Sequence, residues 1–75
     1  MNIHDFLFQI KEGVLRQPGH AVVVDLKTWS GLPGIISGYT HQNKDEQLAS
    51  WARSLGFVVH RDETHNTLHI YLPKR

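Results

Sequence analysis

From the amino end the apolar residues fall at Ile3, Phe6, Leu7, Ile10 and Val14, three and four apart with polar residues between them, the stripe of an amphipathic helix. Asn2 can cap its start, Asp5 puts a carboxylate where the helix dipole favours one, and Pro18-Gly19 ends the pattern after Arg16. The rhythm then changes. His20 to Lys27 is short and β-branched, which predicts a strand, and its consecutive valines predict burial on both faces, as in the middle of a sheet. Thr28 to Gly34 carries loop chemistry, and Ile35 to Thr40 reads as a short returning strand weakened by Gly38. A second helix starts at Asn43 with Glu46 three residues on, presents Leu48, Trp51, Ala52 and Leu55 on one face, and ends at Gly56. The chain finishes as a hairpin, Phe57 to Asp62 and Thr67 to Leu72, around Glu63 to Asn66. That loop sets Phe57 opposite Leu72 and Val59 opposite Ile70 on one side, with Val58–Tyr71 and His60–His69 on the other.

The order is therefore helix, strand, short strand, helix, strand, strand (α-β-(β)-α-β-β). Its natural solution is an α+β two-layer sandwich with two helices on one face of a three- to four-stranded sheet. At 75 residues the chain holds one domain, spanning 1–75. It has no cysteine, which excludes a disulfide framework, a thiolate zinc site, an iron–sulfur cluster and a cysteine nucleophile. No cofactor is called for. A positive segment followed by an apolar one is missing from the start, and the longest apolar run is Ala21 to Val24. The expectation is a cytoplasmic protein with neither signal peptide nor membrane span.

The second helix, Leu48-Ala-Ser-Trp-Ala-Arg-Ser-Leu-Gly-Phe57, and the closing hairpin follow Pro18-Gly19 and a valine-rich strand. In this order of features the chain resembles the TusA/SirA family of small sulfur carriers over about two thirds of its length. The resemblance implies architecture alone. That family's Cys-Pro-x-Pro motif has no counterpart at Asn2 to Asp5, so neither sulfur transfer nor any functional residue carries over.

No serine lies in a Gly-x-Ser-x-Gly elbow, Gly34 to Gly38 lacks the lysine of a phosphate loop, and Asp45 and Glu46 fit helix capping better than acid–base chemistry. The chain is not expected to be an enzyme. Eight Lys+Arg against seven Asp+Glu give a formal charge of +1, short of the excess that phosphate neutralisation requires. A nucleic-acid reading accordingly rests on the local group Arg53, Arg61, Lys74 and Arg75. Six histidines offer a metal reading, with His60 and His69 opposed in the hairpin and Asp62, Glu63 or His65 available as a third ligand. The leading expectation is a protein-interaction or regulatory module that binds a protein partner or itself. Its contact residues are Trp29 and Leu32 in an apolar loop, with Tyr39, Val58 and Tyr71. Phe8 and Leu15, off the stripe of the first helix, are candidates for a second contact surface.

Overall fold

In the computed structural model, which describes residues 1–39 and 42–74, the elements are α1 (Ile3–Arg16), β1 (Val22–Asp25), α2 (Leu26–Ser30), α3 (Lys44–Ser54), β2 (Val58–Asp62) and β3 (Thr67–Tyr71). The fold is α+β. Three antiparallel strands stand in the order β1-β3-β2. Helix α1 forms where its stripe predicts: Asn2 Oδ1 accepts the Asp5 N–H at 3.0 Å, and Ile3, Leu7, Ile10 and Val14 are buried. Helix α3 is capped by Asn43, whose Oδ1 accepts the Glu46 N–H at 2.8 Å, and Gly56 follows it at φ +85°. The hairpin register is the expected one, with Val58 paired to Tyr71, Val59 to Ile70 and His60 to His69.

Four expectations are corrected. First, β1 is an edge strand. Strand β3 pairs with both neighbours and buries Leu68 and Ile70, whereas β1 pairs with β3 alone and leaves Val23 57% exposed. The run of valines reflects β propensity, and alternation still sends Val24 inward and Val23 outward. Second, Leu26 to Ser30 is helical. Asp25 ends the strand and caps this turn, accepting the Lys27 N–H at 3.0 Å and the Thr28 hydroxyl at 3.3 Å. Leu26 and Trp29, three apart, then both face inward, so three helices stand where two were expected. Third, residues 35–39 form no strand; Ile36 to Tyr39 make a turn, with the Tyr39 N–H on the Ile36 carbonyl and Ile36 buried, and Thr40 lies outside the described residues. Fourth, Leu55 is exposed, and Gln47 takes a buried place on α3, its amide donating to the Gln42 carbonyl at 2.9 Å.

One apolar cluster joins the elements. It holds Ile3, Leu7, Ile10 and Val14 of α1, Val24 of β1, Leu26 and Trp29 of α2, Leu48 and Ala52 of α3, and Leu68 and Ile70 of β3. Every inward sheet residue in this cluster belongs to one face of the pleat. The opposite face is therefore left to solvent.

Candidate functional site

The outer sheet face is built by strand register. Val23 pairs with His69 and His69 with His60, so these three form a row across the sheet, next to the Tyr71–Val58 pair. Val23 is 57% and Val58 36% exposed, while His69 and Tyr71 are half-buried between their neighbours. The imidazoles of His60 and His69 meet edge-on with ring centroids 6.4 Å apart, and His69 Nε2 is 3.3 Å from the Thr67 hydroxyl. The result is an apolar and aromatic patch with two imidazoles at its centre, on a surface that carries no Lys or Arg in its two middle rows. Val23, expected to be buried on both faces, belongs to this patch; strand alternation was the signal that placed it.

His65 does not join the histidine pair. It sits in the turn, where its Nδ1 lies 2.7 Å from Asp62 Oδ2, and Asp62 Oδ1 accepts the N–H groups of Thr64 and His65. The triad His60, His65 and His69 is thus not assembled. Among the described residues no group of three or more metal-ligating side chains converges. The reason is pleat geometry: His60 and His69 stand on the outer face, whereas the carboxylate that closes the turn holds His65 at its end.

The His65 hydrogen bond holds the Asp62 carboxyl below its ordinary value of 3.8, with smaller help from the two backbone N–H donors and against some desolvation. A carboxyl depressed in the folded state stabilises above its unfolded value, and that stabilisation is lost as the pH falls through the folded value. Acidification below 3.8 should therefore lower the thermal midpoint, and Asp62→Asn should lower it less steeply over the same range. Midpoints of both proteins from mildly to strongly acidic pH check this; equal slopes would remove Asp62 from the acid response.

Trp29 is fully buried and so offers no contact surface. Its Nε1–H donates to the Lys44 carbonyl at 2.7 Å, its ring centroid is 5.7 Å from that of Phe6, and the Lys44 ammonium lies 5.9 Å from it. That ammonium also donates to the Leu32 carbonyl. The indole finds both an apolar bed and an acceptor inside, which is why Trp29 turns in. Leu32 and Tyr39 are half-buried against the same core.

Arg53 and Arg61 share a groove of about 250 Å³ between α3 and β2, with Ala49, Val59 and Leu68 among its lining. Asp45 and Glu46 line the same groove, and Asp45 Oδ2 lies 3.6 Å from Arg61 Nη2, so two carboxylates face two guanidiniums. Lys74 lies against Gly19, outside this lining, and Arg75 is outside the described residues. Among the described residues Arg53 and Arg61 come together and Lys74 does not join them. No family model, curated protein or solved structure matches the chain. Among the described residues no helix is long and apolar enough to cross a membrane.

Proposed function

We propose that the protein is a non-enzymatic protein-interaction module of the cytoplasm whose contact surface is the outer face of the sheet. One observation carries this reading: Val23, Val58 and Tyr71 stand exposed or half-exposed around His60 and His69, on a face that the helices leave bare. Covering the part of these side chains that is still exposed contributes less than the roughly 1.5–3 kcal/mol of burying a whole apolar side chain, and interface energy concentrates on such anchors. The matched charges of the Arg53–Arg61 groove favour this reading over nucleic-acid binding, which needs a positive surplus. The likeness to the TusA/SirA carriers is proposed for architecture alone, because no cysteine is present to hold a persulfide.

A photo-crosslinking amino acid at position 58 tests the reading, with one at Glu63 in the exposed turn as control. In extracts of the source cell the probe at 58 should capture one discrete protein. Capture should fall at least tenfold when Val23 is changed to Glu, with the circular dichroism unchanged. Equal capture from both positions, or capture indifferent to Val23→Glu, would remove the outer face as the contact surface.

A further inference from the structure

We propose that the free edge of β1 pairs with the same edge of a second copy, joining two chains into one six-stranded antiparallel sheet. The two edges of the sheet differ in kind. Along β2, His60, Arg61 and Asp62 follow one another, and Arg61 reaches from the edge to Asp45 at 3.6 Å; charged and inward-pointing residues of this sort protect an edge against pairing. Along β1, Val22, Val23 and Val24 precede Asp25 without a charge. The Leu26 N–H donates to the Asn66 carbonyl at 3.1 Å. Since Leu26 turns toward β3, antiparallel alternation turns Val24 and Val22 the same way and directs the N–H and carbonyl of Val23 to the open edge. Beside that edge runs a groove lined by Phe6, Gln9, Ile10 and the three valines.

A two-fold axis through this edge sets Val23 opposite the second copy's Val23, and Val22 opposite its Val24 on the core side. The same axis brings α1 alongside its copy. Helix α1 lies close over β1, because at Gly13 a Cβ would stand only 3.1 Å from Val22 Cγ2. The α1 flank on this side carries Asp5, Gln9, Gly13 and Arg16, which are four, four and three residues apart and so share one stripe. Antiparallel helices meeting along that stripe set Asp5 of each chain toward Arg16 of the other, with Gln9 near the axis and Gly13 leaving room for approach. Both charged residues are exposed, and among the described residues neither forms an ion pair. A stripe with opposite charges at its two ends complements itself only when reversed, and this selects a second copy as the occupant. The inference shares Val23 with the reading of the outer face, its backbone forming the edge and its side chain standing in the outer row; the charge swap on α1 touches neither Val58 nor Tyr71 and tests the pairing by itself.

Sedimentation equilibrium of the full chain, from micromolar to millimolar concentration, should give twice the mass of one chain. Val23→Pro removes an N–H that β3 does not use, so it should leave the circular dichroism intact and yield the monomer mass. Asp5→Arg should also yield monomer, and Asp5→Arg with Arg16→Asp should restore the dimer. A wild-type monomer at millimolar concentration, a folded Val23→Pro dimer, or a folded charge-swap variant that stays monomeric would each overturn the proposal. If Val23→Pro fails to fold, the charge swap decides alone.

Discussion

Trp29→Ala should unfold most of the protein at 37 °C. The indole is fully buried at the meeting point of α1, α2 and α3, and truncating a buried tryptophan costs about 3–5 kcal/mol in lost transfer energy and cavity. A domain of this size has a total stability of order 4–11 kcal/mol, from about 0.05–0.15 kcal/mol per residue. The loss is therefore comparable to the whole. It also falls on the element with least support of its own, because the five residues of α2 cannot hold a helix without tertiary packing. Trp29→Phe separates the two parts of the effect. The smaller ring keeps much of the apolar contact with Phe6 and gives up the hydrogen bond to the Lys44 carbonyl, a net contribution of about 0.5–1.5 kcal/mol, in addition to a smaller packing loss. Urea unfolding followed by circular dichroism measures both variants. An unfolding free energy for Trp29→Ala within about 1 kcal/mol of wild type would show that the indole does not organise the core.

The parts of the fold legible in the sequence are those set by local chemistry. Helix α1 needs only its stripe and Asn2, α3 only Asn43 and its repeat, and the hairpin only a four-residue turn to fix the register of His60 against His69. Two of the misreadings, those of β1 and of Trp29, turn on residues distant in the chain. Three valines in a row do not say which strand will take both neighbours; that is decided when the hairpin presents β3 to β1, and it converts Val23 from a core residue into part of an exposed patch. Trp29, among Gly and Pro, read as a surface contact because the acceptor for its N–H is on Lys44, fifteen residues away. The local signal for α2 was present in Asp25, followed by Leu26 and Trp29 at helical spacing, but a strand ending at Lys27 competed for the same residues. Likewise the histidine pair followed from register, whereas the position of His65 followed from a hydrogen bond to Asp62 that spacing alone does not reveal.

Gly34→Ala should be the most damaging methyl addition in the segment that links α2 to α3. Gly34 has φ +106°, a conformation that costs an L residue about 1–3 kcal/mol. An added Cβ would also stand 2.8 Å from Ile3 Cγ2, and Ile3 is fully buried, so it cannot swing aside into solvent. Overpacking of this kind adds about 1–3 kcal/mol more. The strain would reach α1 directly, because the Ile3 N–H donates to the Pro33 carbonyl at 3.2 Å and the start of the helix rests on this turn. Gly38→Ala is the matched control. Gly38 has a similar φ of +91°, but an added Cβ there meets nothing within 4 Å, so only the backbone penalty applies. The difference between the two variants isolates the contact with Ile3. Adding Ile3→Val to Gly34→Ala should recover little, since the Cγ2 methyl survives that change, whereas Ile3→Ala removes the obstructing methyl and should make the glycine substitution no worse than Gly38→Ala. Thermal midpoints of the single and double variants measure that coupling, and additive losses for Gly34→Ala and Ile3→Ala would mean that the turn does not press on α1.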